Sequence, residues 1–403
     1  MSLSKIKILA IGTGVEQIEA IQYAKSKQFY VIAIDRVISD FVKEIVDEFY
    51  EIDLKNEDEI IHKIKDKNIK FIIPSTIGYL LKTIGSINDT LNLPGVTKEM
   101  ALKMTVKSKY SEFLKTRSLF NPKKQVIEGE NITAKYIKGI IRNVGLPCIL
   151  KPEKGSGSRG VISIFKKNEI IDAVQYSLEN LLSNEALIIE QYIEGVEYGV
   201  DFQIKQGNIQ IIAIRDKIMS DLPYRQEVGY IYEFDDTKVE LKKRIGEELY
   251  RAFENEKNDL CCIGNIDVII NEKFVYFVEM SLRPAGLGIM YNFLPLAIGY
   301  NPVHNMINML AFGEENVKKL TRNNVVGMFY LDVPPGKVQS LPDLDKFVVV
   351  KSEINLNIGD IVEPIKTGQD TINRGYILLE STNRKQLYKN YKKILEEIEV
   401  EKM

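Results

Sequence analysis

Histidine and cysteine are nearly missing from this chain, which holds two of the first and three of the second among 403 residues. His62 and His304, both in helical patterns, are too few to build a histidine-rich metal centre and are badly placed for a Ser–His–Asp triad. Cys148, Cys261 and Cys262 show no CxxC spacing and lie in apolar, strand-like runs. They read as buried reduced thiols in a cytoplasmic chain. An excess of one charge sign is also lacking. Lys and Arg number 54 against 56 Asp and Glu, a net charge of -2 that gives no electrostatic reason to expect nucleic acid or a membrane surface as partner. No apolar run approaches the length that crosses a bilayer. The first one, residues 6–11, ends in a glycine turn and does not follow a signal-peptide plan. Chemistry here falls to carboxylates, lysines and arginines.

What is present has the balance of a soluble globular protein, 45% hydrophobic and 27% charged, at a length that implies two or three domains. Residues 6–11, 30–35 and 71–74 read as strands, and 15–27 and 58–65 as helices. That alternation predicts a small doubly wound parallel sheet. Leu93-Pro94-Gly95 breaks it, and a lysine-rich helix is expected over 97–115. Residues 124–165 read as antiparallel strands around a glycine-rich loop, followed by a helix over 168–182 with Asn168 as N-cap. Strands then run to 283, interrupted by a helix at 239–256, and a helix at 302–311 follows. The part from 325 is strand-rich and ends in a charged helix from Arg384. No internal repeat is present, so the chain reads as one catalytic unit.

Two glycine loops stand out. Gly12-Thr13-Gly14-Val15-Glu16-Gln17 follows a strand, and Asp35 ends the next one, but Gln17 stands where a dinucleotide fingerprint needs its third glycine. A structural turn is the better reading, with a dehydrogenase as the rival. The second loop is Gly155-Ser156-Gly157-Ser158-Arg159-Gly160, entered from Cys148-Ile149-Leu150-Lys151-Pro152. Small residues let backbone N–H groups close over phosphate oxygens, and Lys151 supplies a cation from the adjoining strand. A flexible hairpin tip is the bland alternative. The run Leu187-Ile188-Ile189-Glu190-Gln191-Tyr192-Ile193-Glu194-Gly195-Val196-Glu197 weighs against it. In that run Glu197 suits ribose hydroxyls, and the Gln191–Ile193 backbone suits an adenine edge.

Asn265 to Pro284 carries the most information. Two β-rich runs flank Asn271-Glu272-Lys273, so a hairpin is expected. If the turn centres near Lys273, Asp267 opposes Glu279 with Cβ atoms about 5 Å apart, and Asn265 opposes Ser281. Paired carboxylates so close call for a hard cation between them, Mg or Mn. Period-two alternation puts Glu279, Ser281 and Arg283 on one face and turns Met280 and Leu282 into the core. A slip of one residue would undo this arrangement.

In this order the pieces resemble the ATP-grasp superfamily over nearly the whole chain. The resemblance implies a mixed α/β and α+β fold. It has a Rossmann-like domain preceding the grasp unit (1–95), a two-lobed ATP-grasp domain (96–320) and a small strand-rich closing domain (321–403). It makes Lys107 and Lys151 the phosphate-binding lysines, with Gly155, Ser156, Gly157, Ser158 and Gly160 as the loop over the phosphates. Glu190, Gln191, Tyr192 and Ile193 become the adenine hinge, and Glu197 the ribose ligand. Asp267, Glu279 and Ser281 become the metal ligands, and Arg283 the arginine at the transferred phosphate; Arg283 and Lys151 are then the catalytic pair. Two positions depart from the pattern. Val106 replaces an acidic residue, and Ser281 replaces the usual Asn, which bears on a second metal. The implied activity is an ADP-forming carboxylate–amine ligase using ATP and Mg, acting on small molecules, with room for a homodimer. The closing segment, with Pro335-Gly336-Lys337-Val338 and Asn373-Arg374-Gly375-Tyr376-Ile377, is similar to L-amino-acid ligases. A purine-biosynthesis ligase and a non-catalytic ATP-binding regulator are the alternatives. Arg215 and Lys217 are further candidates for holding phosphate or substrate.

Overall fold

A computed structural model describes residues 5–78, 80–128, 133–153, 157–182, 185–234, 238–256, 260–314 and 324–402. The N-terminal strands Lys7–Ile11, Tyr30–Asp35 and Glu48–Glu51 pair in parallel, and an isolated parallel bridge from Leu9 to Ile72 adds the segment expected as a strand at 71–74. Ile8, Leu9, Ala10 and Ile11 are all buried, as both faces of a parallel sheet require. The helix Val15–Ser26 follows the first glycine turn.

The single helix expected over 97–115 is two. Thr97 caps Lys98–Thr105 by accepting from the Met100 N–H, and an extended Val106 breaks the run before Lys107–Thr116. The β-branched pair Thr105-Val106 is a poor helix continuation, and the break places Lys107 in a first turn.

Four antiparallel strands form the next sheet, ordered Lys124–Ile127, Leu187–Gln191, Cys148–Pro152 and Ile162–Ile164. The helices Ala134–Val144 and Ile170–Glu179 cover it. The first of these corrects the all-strand reading of this stretch. Asn168 is not the cap of the second, because the Glu169 carboxylate takes the Phe165 and Lys166 N–H groups in a short 3-10 turn ahead of it.

The largest sheet is antiparallel and eight-stranded. Its order is Val275–Ser281, Cys261–Ile270, Val196–Lys205, Asn208–Met219, Glu227–Tyr232, Val325–Tyr330, Gly375–Ser381 and Val349–Ile354. The helices Val239–Phe253 and Lys98–Thr105 pack on one face around Phe202, Ile266 and Phe277. The helix Pro302–Phe312 packs on the other face and meets the first helix there. Among the described residues, no helix is long and apolar enough to cross a membrane.

Candidate active site

The hairpin between Cys261–Ile270 and Val275–Ser281 pairs Asp267 with Glu279 and Asn265 with Ser281. The opposition expected from the sequence is present, by a different route. Nearer the turn Ile270 pairs with Val275 and Val268 with Phe277, so the loop 271–274 is one step off the assumed centre. Val278 is then an extra residue, a bulge that restores the register before Glu279. Met280 and Leu282 are buried, whereas Glu279 is exposed and Ser281 and Arg283 are half-buried, as alternation requires.

Beside this pair lies Lys217, whose side chain is only 3% exposed. Its Nζ is 3.1 Å from Asp267 Oδ1, 4.0 Å from Glu197 Oε2, and in closer contact with Glu227. Burial works against the Lys217 charge, but the three carboxylates outweigh it and raise its pKa. Asp267 is pushed upward, first by burial and then by Glu227 and Glu279, with Lys217 opposing. The Asp267 side chain is 41% open to the cleft, so solvent moderates that rise. Arg225 ion-pairs with Glu197 and donates to the Tyr192 hydroxyl, closing the ribose end of the expected nucleotide site.

At the phosphate end, Lys151 donates to Glu190 Oε1 at 2.9 Å, and Lys124 lies 3.3 Å from the other oxygen. Glu190 is buried, and Tyr276 donates to it from the hairpin at 2.9 Å. Its side chain is therefore spent on orienting cations. The Gln191 N–H donates to the Lys123 carbonyl and the Tyr192 N–H to Pro147, so the adenine reading narrows to Ile193 among these N–H groups. Lys107 donates to the Glu153 carbonyl at 3.1 Å. Burial lowers its pKa, Glu279 counteracts, and Lys151 adds to the lowering, so the three groups share one electrostatic neighbourhood.

Gly155 and Ser156 lie outside the described residues. Gly157, Ser158 and Gly160 all have positive φ, and a Cβ on Gly160 would come within 2.8 Å of Pro152. The Gly157 carbonyl accepts from the Gly368 N–H at 2.9 Å, tying the loop to the start of the helix Gly368–Arg374.

Arg283 is anchored through its carbonyl, which accepts from Asn265 Nδ2 at 2.8 Å, while its guanidinium feels both Glu279 and Glu16. Glu16 comes from the first turn of the helix Val15–Ser26, just after the first glycine loop, and accepts from the Gly288 N–H at 3.3 Å. In that loop Asp35 Oδ2 accepts from the Thr13 N–H at 2.8 Å and from its hydroxyl at 3.2 Å. Asp35 thus braces the turn ahead of the first helix. Arg215 shares the sheet face of Lys217 and Asp267, and its charge acts on Asp267 and Glu227. It pairs with buried Asp201 at 2.6 Å and lies over the Tyr230 ring, in space that Gly199 leaves open. Glu16, Lys124, Arg225, Glu227 and Tyr276 were not found from sequence, because no local pattern marks them.

The donor set suits a hard cation that arrives with phosphate. Asp267 and Glu279 face each other, the Ser281 hydroxyl is next to them, and Asn265 has spent its amide nitrogen on Arg283. Among the described residues no group of three His, Cys, Asp or Glu side chains could hold a metal on its own. Mg commonly takes one or two carboxylates and completes its shell with phosphates and water, so the pair fits.

Residues 144–287 match the ATP-grasp domain family. The formate-dependent phosphoribosylglycinamide formyltransferase of Francisella tularensis subsp. holarctica is 24% identical over 303 residues, 72% of this chain and 73% of that protein. The D-alanine–D-alanine ligase of Fervidobacterium nodosum is 27% identical over 163 residues, 40% of this chain and 51% of its own length. The crystal structure of an L-amino acid ligase from Bacillus licheniformis superposes with a TM-score of 0.77 at 16% identity, covering 100% of both chains.

Proposed function

We propose that this chain, which carries an ATP-grasp domain and shares that fold, joins an amino acid or similar small carboxylate to an amine through an acyl phosphate. The observation that carries the reading is the direct opposition of Asp267 and Glu279 in the cleft that Lys107 and Lys151 also face. We place the functional division at 1–95, 96–320 and 321–403, the last two parts sharing the eight-stranded sheet.

Mg held by Asp267, Glu279 and Ser281 would neutralise phosphate oxygens and draw charge from the leaving ADP. Lys107 and Lys151 bind the triphosphate, Ile193 meets the adenine, and Glu197 takes the ribose once Arg225 has oriented it. Lys217 faces the γ-phosphoryl group, where developing charge needs a fixed cation. The substrate carboxylate attacks phosphorus in line with the leaving oxygen, and Arg283 stabilises the acyl phosphate oxygens. The 157–160 loop excludes water from the mixed anhydride.

Burial pushes the Cys148 thiol up to about 12 and the Cys261 thiol up to about 11, so neither supplies a thiolate nucleophile. These free cysteines also support a reducing compartment, the cytoplasm. The purine-type alternative differs in substrate, not in mechanism. The test is incubation with ATP, Mg and paired L-amino acids. ADP and phosphate should form only with a productive pair, and AMP formation would reject the reading.

A further inference from the structure

The Val278 bulge has a counterpart in the same sheet. The strand Glu227–Tyr232 pairs Ile231 with Asp216, Tyr230 with Lys217 and Gly229 with Ile218, then skips Val228 and sets Glu227 opposite Met219. Uninterrupted pairing would put Val228 at that position, on the face that carries Lys217. The extra residue delivers a carboxylate there in place of a branched alkyl group.

Glu227 is held at both ends. Its Oε1 contacts Lys217 Nζ, and its Oε2 accepts from Gln226 Nε2 at 2.8 Å. Gln226 is 1% exposed, and its backbone is clamped to Ser220 through an N–H to the hydroxyl at 2.9 Å and a carbonyl bond at 2.7 Å. Lys217 has a competing attraction, because Asp267 lies 3.1 Å away on the side where the metal is expected. Lys217 is thus shared between the two carboxylates, and without Glu227 its charge would fall chiefly on the oxygen that the metal needs.

We propose that Glu227 is a positioning residue that gives the Lys217 ammonium a second anchor away from Asp267, so that Mg can displace Lys217 from Asp267 and leave it for the γ-phosphoryl group. This rests on the reading of Lys217 as part of the ATP site.

Calorimetric titration of the full chain with ATP, in Mg series and in EDTA, tests it. For Glu227→Gln the Mg concentration needed for tight ATP binding should rise about 10- to 100-fold, the range for partners that orient metal ligands. ATP binding in EDTA should change little. Glu227→Asp, which keeps the charge on a shorter arm, should shift the same way by less. The double variant Lys217→Gln/Glu227→Gln should need no more Mg than Lys217→Gln alone, because the competing ammonium is gone. Equal weakening with and without Mg, additive costs in the double variant, or an unshifted Glu227→Asp would overturn the positioning role. If Lys217→Gln alone leaves ATP binding and its Mg dependence untouched, the assignment of Lys217 fails, whatever Glu227 does.

Discussion

Tyr276 donates its hydroxyl to Glu190 Oε1 at 2.9 Å, the same oxygen that Lys151 reaches at 2.9 Å. One buried carboxylate therefore joins the metal-side hairpin to the four-stranded sheet that carries the phosphate cation. Burial alone would raise the Glu190 pKa, but Lys151 and Lys124 outweigh it and hold it below the ordinary range. The stabilisation from this charge is present above the unfolded glutamate pKa and is lost as pH falls through the lower folded value. Glu190→Gln leaves two cations without their counter-ion and should cost about 3–5 kcal/mol in urea unfolding at neutral pH. A loss under about 1 kcal/mol would mean the lysines find other partners.

Lys151, held by Glu190 at 2.9 Å, is the cation proposed for the phosphates, so Lys151→Ala should weaken ATP binding by about 1.5–3 kcal/mol. Isothermal titration with ATP and Mg reads this directly. Unchanged affinity in the folded variant removes Lys151 from the site.

Glu279→Gln tests the metal reading, because Glu279 is exposed and is opposed across the strand by Asp267. Stability should stay within about 0.5 kcal/mol of the parent, as at other exposed positions. ADP release should nearly vanish even at saturating Mg. A rate within a few-fold of the parent would show that the opposed carboxylates do not carry the metal.

The site was legible where chemistry is written locally and illegible where it depends on register or distant contact. Asp267, Glu279, Ser281 and Arg283 follow from alternation along one hairpin, and that face assignment matches the structure. The route to it did not, because Val278 resembles any other strand residue and nothing local marks it as a bulge. The helix Ala134–Val144 was readable, since Ile137, Ile140, Ile141 and Val144 form a helical stripe. Its isoleucines also favour strands, and the neighbouring β-rich runs tipped the reading. Glu190 was picked for an adenine contact, but its buried role with Tyr276 spans 86 positions, beyond any local pattern. Glu227 and Arg225 enter the cleft only once the sheet has folded.

His304 stacks on Tyr23 with ring centroids 3.8 Å apart, where the first helix meets Pro302–Phe312. Burial lowers its pKa to about 4 from an ordinary 6.5, with Lys27 adding to the effect. Between those values the unfolded chain binds a proton that the folded chain refuses, so stability falls as pH drops from about 6.5 toward 4. One such group contributes at most about 1.4 kcal/mol per pH unit. Denaturant titrations across this range should show a shallower pH slope for His304→Phe than for the parent. Matching slopes would mean that this helix contact does not sense the proton.

The acyl phosphate separates a ligase from an ATPase or a passive ATP binder. The cleft gathers Lys107, Lys151, Lys217 and the Asp267–Glu279 pair, while the thiols of Cys148 and Cys261 are held neutral by burial. In the proposed mechanism the substrate carboxylate itself attacks the γ-phosphorus. A new oxygen–phosphorus bond forms, the bond to ADP breaks, and the carboxylate oxygen leaves with phosphate when the amine attacks. A substrate carboxylate labelled with heavy oxygen should therefore pass one labelled oxygen to each phosphate released, and only when both substrates turn over. Mass spectrometry of the phosphate reads the outcome. Amide formation with unlabelled phosphate would reject the acyl phosphate while leaving the fold assignment in place.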